Sequence, residues 1–322
     1  MRLLITGGCG FIGSQLVNHC YKNLDFNTIV VLDRLDYCSR IANISEEAWH
    51  DKDFKFVKGD LCNYDLIINI LETYKIDHVI NMAAQTHVDN SFKNSLQFTK
   101  DNILGLHTLL EACRCYGKIT KLLHMSTDEV YGENKDDDAQ HEHSLLDPTN
   151  PYAATKAGAE FILRSYGHSY KFPYVIVRGN NVYGHGQYPD KLIPKFIINL
   201  HTGEPLTIHG EGKAQRTFVY VDDMARGIVL VLGKGKLGEI YNIGSRNEYT
   251  VMEITRILCD RMGKNIEEVV KYVPDRCFND QRYHINYDKI KELGWTEECS
   301  FEDGLTDTIR WYVKRVGEYT QN

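Results

Sequence analysis

No apolar stretch in this chain approaches the roughly 20 residues that a helix needs to cross a bilayer, which argues against a membrane span. No run of lysine and arginine could track a phosphate backbone. The balance of 37 basic against 44 acidic side chains is mildly acidic, so nucleic acid is not an expected partner. No Cys-x-x-Cys occurs. The nine cysteines are odd in number and scattered, and Cys113 and Cys115 diverge on a predicted helix. They read as reduced, mostly buried small hydrophobes, and no metal site is expected. The first apolar run begins at residue 2, which leaves no room for a targeting leader, so a cytoplasmic location is expected. No internal repeat is present.

What the chain has is 322 residues, enough for one large domain or two unequal ones, and a regular alternation of elements. Short apolar or β-branched runs start at Arg2, Thr28, Phe54, His78 and Lys121, and helical spacing fills 12–23, 63–74 and 95–116. Near-continuous apolar strands are those buried on both faces. An α/β fold follows, with a doubly wound parallel sheet of the Rossmann type. The polar, acidic run 133–147 is read as a solvated loop rather than a metal site built from His141 and His143. A helix from Tyr152 to about Tyr170 and a strand at 174–177 follow. Beyond Gly179 glycines and aromatics rise and elements shorten, so a smaller mixed C-terminal substrate lobe is expected. Residues 1–178 form the first, Rossmann-type domain on this reading. Residues 179–322 form mainly the substrate lobe, with some segments returning to the first sheet and a last helix over about 301–315.

Gly7, Gly10 and Gly13 are spaced Gly-x-x-Gly-x-x-Gly between the first strand and the first helix. The first allows a tight turn, the second lets backbone approach a pyrophosphate, and the third lets the helix pack on the sheet. With Phe11 and Ile12 they place a helix N-terminus, with its free N–H groups, at the phosphates. Asp33, at the end of the second strand, suits a ribose diol and would repel a 2′-phosphate, so NAD is expected over NADP. Arg34 beside it is expected to face solvent and pack over the adenine. Asp60 and Leu61 end the third strand near the adenine, and Ala83, Ala84 and Gln85 follow the fourth, where small residues let the chain pass close to the cofactor.

Tyr152 and Lys156 lie one helical turn apart. A phenol has a pKa of about 10, and a nearby ammonium and a positive nicotinamide would bring it toward working range. Upstream stand Ser126, Thr127, Asp128 and Glu129. In this company the chain resembles the extended short-chain dehydrogenase/reductases, and among them the nucleotide-sugar 4,6-dehydratases. The resemblance rests on Ser-Thr-Asp-Glu-Val-Tyr-Gly at 126–132. It extends through Asn180-Asn181-Val-Tyr-Gly184, Tyr188-Pro-Asp-Lys191-Leu-Ile-Pro194, Ile208-His-Gly210, Tyr220-Val-Asp-Asp223, Tyr241-Asn-Ile-Gly244 and Phe278-Asn-Asp-Gln-Arg282-Tyr283.

The resemblance implies a cycle on UDP-glucose or dTDP-glucose. Tyr152 takes the C4 hydroxyl proton as hydride leaves C4, and Thr127 bonds that oxygen. Glu129 removes the C5 proton, Asp128 protonates the departing C6 hydroxyl, and hydride returns to C6. Two adjacent carboxylates with opposite tasks need pKa values pushed apart, and the chain must turn for both to face the sugar, since neighbours on a strand point to opposite sides. Arg216 and Arg282 are expected to grip the diphosphate. Lys191, Leu192, Asn180, Tyr283 and His87 are placed with the sugar nucleotide, and Asn181 nearer the nicotinamide. Val251 stands where thymidine-type enzymes often carry asparagine, which leans the base toward uracil. A homodimer through 95–116 and 152–170 is implied. A 4-epimerase, a decarboxylase, a GDP-mannose dehydratase or a non-catalytic dinucleotide sensor are the rival readings.

Overall fold

A computed structural model describes residues 1–134, 137–274, 280 and 282–320. The strands are β1 (Arg2–Thr6), β2 (Thr28–Asp33), β3 (Phe54–Lys58), β4 (His78–Asn81), β5 (Lys121–Thr127), β6 (Tyr174–Gly179), β7 (Asn181–Tyr183), β8 (Leu206–His209), β9 (Gln215–Tyr220), β10 (Ile240–Ile243), β11 (Glu248–Thr250) and β12 (Val270–Val273). The longer helices are α1 (Phe11–Asn23), α2 (Tyr64–Tyr74), α3 (Gly105–Tyr116), α4 (Pro151–Tyr170), α5 (Leu192–Thr202), α6 (Val221–Lys234), α7 (Val251–Arg261) and α8 (Phe301–Val313).

Alternate side chains along the apolar strands enter two different cores, as strand geometry requires. Leu3, Ile5, Ile29 and Val31 pack with Val17 and Cys20 of α1 and Met224 and Ile228 of α6. Leu4, Val30, Leu32 and Val79 pack with Ile67 and Leu71 of α2, Leu109 and Leu110 of α3 and Leu163 of α4. Helices therefore cover both faces of a seven-stranded sheet in the order β10-β6-β5-β4-β1-β2-β3. Every pairing within it is parallel. Ile5 sits between Val31 of β2 and Ile80 of β4. Strand order reverses at β1, so the loops leaving β1 and β4 part and open a crevice at their carboxyl ends. The chain returns at Ile240 to add β10 beside β6. A mixed three-stranded sheet, β11-β9-β7, and a parallel pair, β12-β8, build the rest around a third core.

Two expectations change. The helix expected over 95–116 is interrupted by a π-helical stretch, Thr99–Leu104, before α3. That wider turn carries Asn102, 3 % exposed, whose amide bonds both Gln85 N–H and Gln85 C=O, at 2.8 and 3.0 Å, and Thr155 Oγ1 at 2.9 Å. The acidic loop 133–147 is only partly solvated. Gln140 bridges to Ile285, and buried Glu142 accepts the Asn242 N–H at 3.0 Å. Among the described residues no cluster of His, Cys, Asp and Glu is arranged to hold a metal, and no helix is long and apolar enough to cross a membrane.

α4 is held to the sheet by a buried ion pair. Arg178 of β6 donates from Nε to Glu160 Oε1 at 3.0 Å and from Nη2 to Oε2 at 2.5 Å, and from Nη1 to the Glu142 carbonyl at 3.2 Å. Its guanidinium lies 4.7 Å from the Tyr131 ring centroid. Both partners are almost wholly removed from water, so deleting one strands a charge. Arg178→Met and Glu160→Gln are each expected to cost about 3–5 kcal/mol in urea unfolding, and the double variant less than their sum.

Candidate active site

The crevice continues into a cavity of about 540 Å³ at the carboxyl ends of the central strands. Its floor is the glycine turn. Gly7 has φ +68°, and a Cβ there would lie 2.7 Å from the Ala83 backbone, so the turn and the loop after β4 touch main chain to main chain. At Gly10 a Cβ would meet only the Gly7 carbonyl, at 3.3 Å, and otherwise fill the cradle. Gly10 caps α1 with no side-chain bond, which leaves the first-turn N–H groups to the cavity that Gly10, Phe11, Ile12 and Gly13 line. Asp33 accepts Cys9 N–H on one oxygen (2.9 Å) and Leu35 N–H on the other (2.7 Å). A carboxylate has about four lone-pair sites, so each oxygen keeps one for a diol.

Arg34 lines the cavity and keeps about a third of its side chain exposed (31 %). It donates to both oxygens of Asp101, at 2.9 and 2.7 Å, and to Asp36 at 2.7 Å, with Asp60 3.6 Å away. A guanidinium committed to these carboxylates gives a 2′-phosphate no welcome. Asp60, Leu61, Ala83, Ala84 and Gln85 line the same end. These groups fit a dinucleotide with a free 2′-hydroxyl.

The acid–base cluster stands over this cradle. β5 ends at Thr127, and a 3₁₀ turn, Asp128–Tyr131, supplies the change of direction that two facing carboxylates require. Glu129 lines the cavity with Thr127, Tyr152 and Lys156. Asp128 does not. It is 2 % exposed and lies just behind the wall, accepting from Asn180 Nδ2 at 2.6 Å and Thr127 Oγ1 at 3.1 Å. Glu129 accepts from Asn150 Nδ2 at 2.9 Å. Burial pushes Asp128 up to about 6, with Asn180 and Thr127 pulling the other way. Burial, and then Asp128, push Glu129 up to about 7, against Asn150, Arg216 and Lys191. The two rise together rather than apart, because both leave water side by side. What distinguishes them is position, one in the wall and one behind it.

Lys156 donates to the Met125 carbonyl at 2.5 Å, and burial pulls it down to about 8. Tyr152 is 7 % exposed. Burial and then Glu129 push its phenol above its ordinary range, and only the Thr127 hydroxyl pulls it back.

In the substrate half, His87, Asn180, Asn181, Lys191, Leu192, Arg216 and Tyr283 all line the cavity. Lys191 reaches the Thr86 carbonyl at 3.3 Å, and His87 Nε2 lies 3.8 Å from Asp190. Arg216 donates to the Asp280 carbonyl at 2.8 Å and stacks 5.0 Å from the Tyr283 ring. Arg282 is not in the lining. Glu248 grips it in a fork, at 2.7 and 2.9 Å, and Asp137 takes its third bond at 2.8 Å. Phe278, Asn279 and Gln281 of the same motif lie outside the described residues. Sequence reading passed over Asn102, which holds the Gln85 backbone, and Asn150. The second carried a signal, a capping residue directly before a proline.

The sequence profile of the family described as GDP-mannose 4,6 dehydratase matches residues 4–308. The chain belongs to that family. Within the family, a trifunctional UDP-glucose 4,6-dehydratase/UDP-4-keto-6-deoxy-D-glucose 3,5-epimerase/UDP-4-keto-L-rhamnose-reductase of Arabidopsis thaliana is 49% identical over 315 residues, 97% of this chain and 47% of that protein. The chain thus spans about half the length of the curated relatives of that kind. A dTDP-D-glucose 4,6-dehydratase of Dictyostelium discoideum is 42% identical over 354 residues, 97% of this chain and 81% of that one. The crystal structure of DesIV, a dTDP-glucose 4,6-dehydratase of Streptomyces venezuelae with NAD bound, superposes with a TM-score of 0.95 at 40% identity, covering 99% of each chain.

Glu129 carries a pH signature. From its ordinary value near 4.5 up to about 7 the folded chain keeps a proton there that the unfolded chain has lost, so stability falls as pH rises through that window. Glu129→Gln has no such proton. It is expected to be more stable than wild type by roughly 1–3 kcal/mol at about pH 8, an advantage gone below about pH 4.5 in urea unfolding.

Proposed function

We propose that the chain is a nucleoside-diphosphate-glucose 4,6-dehydratase, a hydro-lyase that turns UDP-glucose or dTDP-glucose into the 4-keto-6-deoxy sugar. One observation carries this reading. Glu129 in the wall and Asp128 behind it share a cluster with Thr127, Tyr152 and Lys156, above a dinucleotide cradle. A hydride exchange alone needs the tyrosine and lysine. The two carboxylates add the means to move a C5 proton and release a hydroxyl.

Residues 1–178 hold the cofactor and residues 179–322 most of the sugar nucleotide. NAD supplies the hydride acceptor, the returning hydride and the positive charge that draws the Tyr152 phenol toward phenolate. Tyr152 takes the C4 hydroxyl proton at its phenolic oxygen, and Thr127 orients that hydroxyl. The 4-ketone acidifies C5, and Glu129, facing the cavity, removes the C5 proton; C5 is reprotonated as hydride reaches C6. Asp128 passes a proton outward, through the Thr127 hydroxyl that it contacts, to the departing C6 oxygen. Arg216 and Lys191 take the diphosphate. Arg282, committed to Glu248 and Asp137, steadies β11 rather than gripping phosphate. Val251 in the lining and the 49% identity to proteins named for UDP-glucose support uracil as the preferred base.

The free cysteines among the described residues suit a reducing cytosol. Leu96, Leu104, Phe161 and Tyr170 expose apolar side chains along 95–104 and α4, which supports a homodimer through these helices. Light scattering is expected to return about twice the 37.1 kDa chain mass, and a monomer rejects the dimer.

Incubation with UDP-glucose and dTDP-glucose, followed by mass analysis, is expected to show loss of one water without net NADH, faster with UDP-glucose. Unchanged mass with an altered sugar would mean an epimerase, and no reaction a binder. Tyr152→Phe is expected to lower the first oxidation by at least about a hundredfold, while Glu129→Gln permits it and stalls elimination by a similar factor. Equal loss of transient NADH in both would contradict this division.

A further inference from the structure

Asn150 has a use that its place before α4 does not exhaust. Its Oδ1 accepts the Ala153 N–H at 2.9 Å, which caps α4 two residues ahead of Tyr152. Its Nδ2 donates to Glu129 Oε2, also at 2.9 Å. The amide orientation follows from the partners, because a flipped group would set NH₂ against N–H and oxygen against carboxylate. The side chain is 5 % exposed and lines the cavity. Capping alone does not call for asparagine, since serine and aspartate cap about equally well. Serine has one oxygen on a stem one bond shorter, and aspartate has nothing to donate. An amide accepts from the helix and donates to the carboxylate at once.

We propose that Asn150 is a positioning residue that holds the Glu129 carboxylate in fixed register with the start of α4, so that Glu129 and Tyr152 meet the same sugar in sequence. This role rests on the dehydratase reading above. The 3₁₀ turn that carries Glu129 is a single turn, so the carboxylate needs an outside anchor. Asn180 anchors Asp128 in the same way at 2.6 Å, but of these two amides it is Asn150 that ties its carboxylate to the helix that carries Tyr152. Around Glu129 stand Asp128 on its own turn, Arg216 of β9, Lys191 ahead of α5, Tyr152 of α4 and Tyr283. The Asn150 donation favours the ionised carboxylate against burial and against Asp128. Without it the base is protonated over more of the neutral range.

The test uses the NAD-loaded enzyme with UDP-glucose and dTDP-glucose, and the variants Asn150→Ser and Asn150→Asp, both competent caps. Stopped-flow NADH absorbance reads the first oxidation. Solvent deuterium entering C5 and water loss read elimination, each across pH. Unfolding midpoints check the cap. In Asn150→Ser the oxidation phase is expected near the wild-type rate, with elimination slowed at least about tenfold and its acid limb moved to higher pH. Asn150→Asp moves that limb further, because a second carboxylate then faces Glu129. Equal slowing of both phases with no shift of the limb overturns the role, as does a common loss of unfolding midpoint or wild-type behaviour in both variants. Absence of water loss from the wild type overturns the dehydratase reading and this role with it. Normal wild-type turnover with unaltered variants overturns this role alone.

Discussion

Taking two neighbouring carboxylates out of water is the constraint around which the centre of this molecule is arranged. An unpaired ionised carboxylate in an apolar interior costs far more than any single contact returns, so such a group protonates or finds donors. Asp128 and Glu129 do some of each. Both rise toward neutrality, and each has a side-chain amide, Asn180 or Asn150, as its nearest donor. The donors come from different elements, one at the end of β6 and one at the start of α4. The 3₁₀ turn is thereby tied to the sheet on one side and to a helix on the other. Burial that would be a liability in a surface loop leaves both carboxylates keeping their protons closer to neutral pH.

The dinucleotide cradle obeys a different constraint, that of close approach. Gly7 meets the Ala83 backbone and Gly10 leaves space where any side chain would intrude, so selection acts on the absence of atoms. Charge then refines what shape admits. Asp33 is held by two backbone N–H groups, and Arg34, beside it in the cavity lining, is engaged by Asp36 and Asp101. Preference between a free and a phosphorylated ribose thus belongs to the whole acidic group and not to Asp33 alone.

Features that depend on local backbone were legible in the sequence. The glycine turn, the alternation of strands and helices, and α4 with Tyr152 and Lys156 on one turn all follow from spacing and from residues a few positions apart. Features set by distant partners were not. Whether Arg282 meets phosphate or carboxylate depends on Glu248 and Asp137, far off in the chain. The loop at 133–147 reads as solvated until Gln140 finds Ile285. Burial, which no local window reveals, pushes the Tyr152 phenol up.

The sheet holds one further consequence, for the order of events during synthesis. Its outermost strand, β10, comes from residues 240–243, while its neighbour β6 ends at Gly179. About sixty residues must therefore leave the ribosome before the outer edge of β6 is covered. During that interval an edge that is apolar over Tyr174–Val177 lies open to any other strand, which is the condition that favours pairing between nascent chains. A fragment cut at the apparent boundary near residue 178 would keep that edge permanently, so the N-terminal half is an incomplete unit however complete its glycine turn.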